Sequence, residues 1–512
     1  MKKKDNKTAK FFRKLVYSNR VVTVLCLLLL QLLYLAIFCF SIYKNNYYIN
    51  AISVVLQLIF ALTIISTERN SAYKMGWVLL VFILPIFGCL FYLIYGLNVS
   101  NKRLRNNIET AFLQNDKMQT KLNVLQKLTN EQEFYKSFCD YLNKQGYPAF
   151  DNTNVNFFSS GESLFDDVLQ NLALAQKQIF IETFILEEGL LWDKMLSIIQ
   201  AKAQQGVQVK IIYDDMGSIA KVKKNYYKKL CEINGVECVK FNKVTPFLFK
   251  SINNRDHRKI IVVDGVAYMG GANIADEYAN IKTKYGYWLD HGIKLCGEGA
   301  NGIISMFIDI WNAFSQNKLD KTCLIAEQIN TGGIVQPFAT NPFNKTDIAY
   351  NVYLDIINRA DRYLYISTPY FIPDNTLIQA LKHASQRGVD VRILVPKIPD
   401  KKIPYRLTKA NFAPLIKEGV KFYYYTSGFN HAKTLISDDQ IAVVGTINLD
   451  YVSMFLNFEC GVLLYKNTCL TEIANHFTQV FNASSLIGEQ DAKRTLIGRF
   501  VDKVLVTIEM LF

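Results

Sequence analysis

No Cys-x-x-Cys pair occurs anywhere in this chain, and only five histidines do. The ten cysteines are scattered, three of them in an apolar N-terminal region (Cys26, Cys39 and Cys89), so neither a zinc cluster nor a disulfide framework is indicated. Acidic residues are in deficit: 44 Asp and Glu stand against 58 Lys and Arg, for a net charge of +14. That balance suits a polyanionic partner, either nucleic acid or an anionic membrane surface. Low-complexity sequence is also missing. Half of the residues are hydrophobic and 13% are aromatic, which excludes a disordered chain.

Charge is sparse in three apolar stretches near the N-terminus: Val21 to Tyr43, Tyr47 to Ser66 and Met75 to Leu97. Each is about the 20 residues that a helix needs to cross the hydrocarbon core. Pro85 and Gly88 interrupt the third and would kink it. A cleaved signal peptide is a poor alternative, because the first apolar run is too long and two more follow. These stretches turn the choice of polyanion toward lipid, with no nucleic acid expected. Residues 1 to 20 carry eight Lys or Arg, which places the N-terminus in the cytoplasm. Three spans would then leave the rest of the chain outside. Lys102, Arg103 and Arg105 pull the other way, and two spans with one interfacial stretch would put it inside.

Residues 98 to 150 read as a charged helical connector. Beyond them strands and helices alternate. Gln178 to Leu186 and Val207 to Tyr213 read as strands around a helix from Met195 that Gly206 ends. The order recurs: Arg362 to Ser367, a helix from Leu377 ended by Gly388, then Val389 to Val395. Ala203 to Ile212 aligns with Ser385 to Leu394 at an offset too long for a solenoid. The fold class expected is α/β: two repeated α/β sandwich domains related by a pseudo-twofold axis, behind transmembrane helices. The expected divisions are 1–20 basic, 21–97 transmembrane, 98–150 connector, 151–330 first half, 331–490 second half and 491–512 a terminal helix. That last helix is either interfacial or packed. Val244 to Phe249 and Phe422 to Tyr425 either line a membrane-facing mouth or are core strands.

Two of the five histidines open the same pattern, one in each half. His257-x-Lys259 is followed by Asp264, and His431-x-Lys433 by Asp438, both reading HxKx4D. Each motif runs on to a glycine turn with an asparagine, Asn273 and Asn448. Alternation along a strand points His and Lys to one face. Two such strands meeting across an axis would surround one tetrahedral anion. Lys259 and Lys433 would supply charge, and Asn273 and Asn448 neutral donors. One imidazole would attack phosphorus while the other handles the proton of the leaving and entering alcohols. The lysines carry the electrostatic load that a metal carries elsewhere, so no metal or other cofactor is expected. Asp290 and Glu459 are matched candidates for orienting the imidazoles: Asp290 follows His257 in the first half, and Glu459 follows His431 in the second. Asp264 and Asp438 complete the candidate catalytic set, with loop-holding as their favoured role.

These motifs resemble the phospholipase D superfamily, and within it the bacterial cardiolipin synthases. Narrower marks are Tyr213-Asp214-Asp215-Met216-Gly217-Ser218, Thr368-Pro369-Tyr370-Phe371-Ile372-Pro373-Asp374 and Leu456-Asn457-Phe458-Glu459. The likeness covers nearly the whole chain. It implies that His257 is the nucleophile and His431 the acid/base. It also implies that two phosphatidylglycerols give cardiolipin and glycerol at a cell membrane. Departures are Thr446, where a Ser is common, and Val452, where an Arg is usual. The rival readings are hydrolysis by a phospholipase D or nuclease, transfer to another alcohol, and a catalytically silent lipid scaffold.

Overall fold

The computed structural model describes residues 19–44, 47–67, 71–96, 102–114, 124, 133–243, 254–320, 332–492 and 495–507. The chain divides into two compact units, the first holding the N-terminal helices and the second the α/β body.

In the first unit, α1 (Asn19–Tyr43) and α2 (Tyr48–Ile65) are apolar helices with exposed Leu, Ile and Val around their surfaces. Among the described residues only these two are long and apolar enough to cross a membrane. The third apolar stretch departs from the continuous span that its length suggested. It breaks at Leu84 into α3 (Ser71–Ile83) and α4 (Pro85–Phe91), and a π-helical turn at Tyr92–Gly96 follows. Proline at the first position of α4 has no amide to continue the hydrogen-bond ladder of α3.

The second unit is built on two sheets of like order. The first comprises β1 (Thr153–Phe158), β2 (Gln178–Thr183), β3 (Gln208–Asp214), β4 (Val236–Phe241), β5 (Ile260–Val263), β6 (Val266–Gly270) and β8 (Gly292–Gly297). Its order is β1-β8-β6-β5-β2-β3-β4. The second comprises β9 (Ile334–Thr340), β10 (Tyr363–Ser367), β11 (Asp390–Pro396), β12 (Lys421–Tyr425), β14 (Thr434–Ser437), β15 (Ile441–Gly445), β16 (Glu459–Tyr465) and β17 (Ser485–Leu486). Its order, β17-β12-β11-β10-β14-β15-β16-β9, repeats the first with one added edge strand. In both, two parallel pairings give way to antiparallel ones at the strand after the HxK motif. Gly206 and Gly388 take the left-handed conformation (φ +91° and +95°) just past the helices that they end.

Ile260, Val262, Ala267 and Met269 of the first sheet share one apolar core with Ala442, Val444, Cys460 and Val462 of the second. Burying these faces together is what brings the duplicated halves into one body. Phe422 and Tyr425 are buried on β12, so this segment belongs to the core and is not a membrane-dipping loop. Val244 to Phe249 lies outside the described residues.

The aspartates that end the two motifs have a structural task. Asp264 sits at the β5–β6 turn with φ +47°, and its carboxylate accepts the amides of Gln176 (2.6 Å), Lys177 (2.8 Å) and Gln178 (2.8 Å). Asp438 accepts those of Asp361 (3.0 Å), Arg362 (2.8 Å) and Tyr363 (2.9 Å) in the same way. Each clamps the start of the strand that pairs with its own motif strand. Removing one takes a charged acceptor from three amides, two of them exposed to water, a cost of about 1–2 kcal/mol. Asp264→Ala and Asp438→Ala therefore lower the thermal unfolding midpoint but keep most activity per folded molecule. An unchanged midpoint with abolished activity would return these residues to the chemistry.

Candidate active site

His257 and Lys259 lie in the extended segment just before β5, and His431 and Lys433 in the one before β14. Neither HxK is inside the main ladder. Asp256 forms a parallel bridge with Phe458, the His257 amide donates to the Phe458 carbonyl (2.9 Å), and the Phe458 amide donates to Arg255 (2.8 Å). In mirror fashion β13 (Gly428–Asn430) pairs in parallel with β7 (Tyr287–Leu289), and the His431 amide donates to Leu289 (2.8 Å). Each histidine is thus laid beside the residue that precedes the other half's carboxylate.

The side chains follow. His257 Nδ1 lies 2.9 Å from Glu459 Oε2, and His431 Nδ1 lies 2.7 Å from Asp290 Oδ2. Spacing in the sequence would have paired Asp290 with His257 and Glu459 with His431. The structure crosses them, because the docked half reaches each ring and the local chain does not. An ionised carboxylate accepts Nδ1–H, which leaves the Nε2 lone pair free for chemistry.

The lysines of the two motifs act on both imidazoles. Lys259 and Lys433 both push the imidazoles of His257 and His431 down, as does burial, which is the larger cause. Burial lowers Lys259 to about 8 and Lys433 to about 7. Burial also lifts Asp290 to about 7 and Glu459 to about 8, while the lysines pull both carboxyls back toward ionisation. Each ammonium donates to the carbonyl of its own motif histidine, Lys259 to His257 and Lys433 to His431. Burial and mutual repulsion thus disfavour the charged forms of this cluster, and a bound anion would restore them.

Asn273 and Asn448 sit at the same turn in each half, both buried. Asn273 Oδ1 accepts the Ile185 amide (3.1 Å), and the Asn273 side chain lowers the Tyr278 hydroxyl against the rise that burial causes. Asn448 lowers the Asp450 carboxyl against the rise that burial causes. A side-chain amide has two N–H groups, so a donor remains for a phosphoryl oxygen in each half. Asp264 and Asp438, placed in the catalytic set by the motif, do not join this cluster, because their carboxylates are spent on the strand clamps.

Two aromatic neighbours carry no sequence signal of their own. Phe184 lies edge-on to His257 (5.0 Å between ring centroids), and Tyr278 edge-on to His431 (5.2 Å). The Thr446 hydroxyl donates to Glu459 and accepts the Cys460 amide (3.0 Å), so the hydroxyl that replaces the usual serine keeps a task. Lys401, in the loop after β11, adds positive charge that acts on both imidazoles and on Asp450. It belongs to no motif. Arg258 is buried between Glu182 (2.5 Å) and Asp256 (3.1 Å) beside His257, where the second half has the neutral Ser367, Ala432 and Asn430.

A family model described as cardiolipin synthase, PLD-like domain, matches the chain twice, at residues 168–289 and 353–483. One described as phospholipase D-nuclease N-terminal matches residues 55–96. An uncharacterised protein of Streptococcus mutans is 37% identical over 86% of this chain and 98% of its own. A cardiolipin synthase of Staphylococcus aureus (strain Mu50) is 33% identical over 93% of this chain and 98% of its own. The solved structure of the phosphatidylserine synthase of Haemophilus influenzae, 18% identical, covers 70% of this chain and 95% of that one with a TM-score of 0.57, a likeness of fold.

The lysine pKa values set a pH test. A bound oxyanion needs Lys259 and Lys433 charged, and they lose their protons as pH rises through about 7 and about 8. Inhibition by tungstate therefore weakens from near pH 6 to near pH 9, by about tenfold per pH unit between the two values and by up to about a hundredfold per unit above the second. A flat profile would mean that the ammoniums do not hold the anion.

Proposed function

The chain belongs to the phospholipase D superfamily, in its cardiolipin synthase branch, and from that premise we propose that it makes cardiolipin from two molecules of phosphatidylglycerol at the cell membrane. The observation that carries the reading is the pair of imidazoles, each held through Nδ1 by a carboxylate of the opposite half, among two buried lysines.

In the first step Nε2 of His257 attacks the phosphorus of one phosphatidylglycerol. The bond from phosphorus to the glycerol head group breaks, and His431, protonated once the lipid phosphate offsets the lysine charge that depresses it, gives its proton to the departing glycerol oxygen. The product on the enzyme is phosphatidyl-His257. Glu459 keeps the proton of His257 on Nδ1, and so keeps the lone pair on the attacking nitrogen. Lys259 and Lys433, with the free donors of Asn273 and Asn448, hold the equatorial oxygens as charge gathers on them. In the second step the glycerol hydroxyl of another phosphatidylglycerol gives its proton to His431 and attacks phosphorus, and the P–N bond breaks. Cardiolipin leaves, and both histidines return to their starting states.

Burial supports a lipid alcohol over water as acceptor. Lys433 and Asn273 are each only 1% exposed, and the rings of Phe184, Tyr278 and Trp288 stand against the imidazoles. An apolar wall around the phosphorylated histidine limits the entry of water. We read α1 and α2 as membrane spans that keep the enzyme among its substrates, which raises the effective concentration of the second lipid. The loss of the usual arginine at Val452 leaves Lys401 as a further cation acting on this half-site.

Purified full-length protein given phosphatidylglycerol alone should yield cardiolipin and glycerol in equal amounts, identified by mass. His257→Ala should form neither product, and His431→Ala should be slower by about 10²–10⁴-fold. Phosphatidic acid in place of cardiolipin would make the enzyme a hydrolase. Cardiolipin formed by His257→Ala would remove the nucleophile.

A further inference from the structure

The third apolar stretch folds back on itself. Tyr73, at the start of α3, donates to the carbonyl of Gly96, at the end of the π turn (2.6 Å). One turn further in, the Trp77 ring lies against those of Phe91 (5.6 Å) and Tyr92 (5.3 Å). Nearer the bend, Gly88 is so close to the Leu80 backbone that a Cβ would come within 2.5 Å of its carbonyl oxygen. The contacts 73–96, 77–92 and 80–88 are those of an antiparallel hairpin with its tip at Leu84 and Pro85. Residues eight apart in one straight helix are about 12 Å apart along its axis, so these contacts exclude a merely kinked span.

Two contacts fix the depth of the tip and of the base. At the tip, Gln31 Oε1 accepts the amides of Ile86 (3.1 Å) and Phe87 (3.0 Å), two donors that the helix break leaves free. Gln31 is the middle residue of the 25-residue α1. At the base, the Lys74 ammonium donates to the carbonyl of Ile65, the last residue of α2 (3.0 Å). The hairpin thus begins level with the end of α2, reaches the middle of α1 and returns. Its first arm has 13 residues, about 20 Å at 1.5 Å per residue, against a hydrocarbon core about 30 Å thick.

We propose that Ser71–Gly96 is a re-entrant hairpin that enters the bilayer from the cytoplasmic face and returns to it. The chain beyond Gly96 then starts on the same side as the N-terminus. The inference rests on the reading of α1 and α2 as membrane spans. It also removes a conflict in the distribution of charge. With two spans and a hairpin, the eight basic residues of 1–20, Arg69 and Lys74, and Lys102, Arg103 and Arg105 all fall on one side. Only Lys44 is left on the other, as the positive-inside rule requires. With three spans, the last three would be outside. The enzyme accordingly takes its lipids from the cytoplasmic leaflet.

The test is an epitope tag inserted into the full-length protein at 45/46, 69/70 or 99/100, or fused to the C-terminus, in a bacterial host. Antibody is applied to protoplasts before and after permeabilisation, and cardiolipin formation is checked for each tagged protein. The tag at 45/46 should stain intact protoplasts, and the other three should stain only after permeabilisation. Staining of the 99/100 and C-terminal tags on intact protoplasts, with 69/70 still hidden, would show a third crossing and overturn the hairpin. A protein recovered in the soluble fraction, with 45/46 hidden, would instead overturn the membrane spans on which the hairpin depends.

Discussion

The body of this enzyme depends on one exchange: each half lends its carboxylate to the other half's histidine. Glu459 holds His257 across 202 residues of sequence, and Asp290 holds His431 across 141. Neither half by itself supplies the carboxylate that its own histidine meets. The exchange is made possible by two short parallel pairings, Asp256 with Phe458 and β13 with β7, which align histidine and carboxylate before any side chain is considered. The shared apolar core behind them stabilises the dock. It lets two lysines and two imidazoles be buried together, an arrangement whose electrostatic cost is offset only in part by two carboxylates.

The two half-sites are alike in frame and unlike in surroundings. Behind His257 lies the buried Glu182–Arg258–Asp256 group, where burial and the neighbouring Asp256 push the Glu182 carboxyl well up although Arg258 pulls it down. Behind the other site, His291 Nδ1 meets Thr434 Oγ1 (2.8 Å) and His291 Nε2 meets His476 Nε2 (2.9 Å). Thr434 follows Lys433 and His291 follows Asp290, so this second histidine pair braces the strands that carry the site. Duplication supplied a symmetric cradle. The differences behind it provide two distinct electrostatic settings, as the proposed division into one nucleophile and one acid/base would require.

Much of this was legible in the sequence. The HxKx4D motifs, the helices ended by Gly206 and Gly388 and the alternation of strands give two α/β halves, because each depends on local periodicity and turn chemistry. The identity of Asp290 and Glu459 was also legible, since each follows its asparagine by a short stretch. Which ring each carboxylate serves was not, because pairing across 202 and 141 residues is fixed by docking and leaves no spacing to read. The loop-holding task of Asp264 and Asp438 was legible too, but not which strands they clamp, because their partners are backbone amides, which every sequence supplies. Hydropathy registered Met75 to Leu97 as a span because it counts apolar residues and is blind to the direction of the chain. Pro85 marked the break, and only Gln31, from another helix, and the Gly88–Leu80 approach show the return. Lys401, Tyr278 and the His291–His476 pair reach the site from segments without a motif.

The crossed pairing is open to direct observation, because a chain with five histidines gives a readable ¹⁵N spectrum. Imidazole nitrogens report their tautomer and their hydrogen-bond partner. In the full-length protein, Glu459→Gln should shift the resonances of His257 and leave those of His431 in place, and Asp290→Asn should do the reverse. If Glu459→Gln moved His431 alone, with His257 unchanged, each half would be serving its own histidine, and the account of a site made only by the docking of two halves would be wrong.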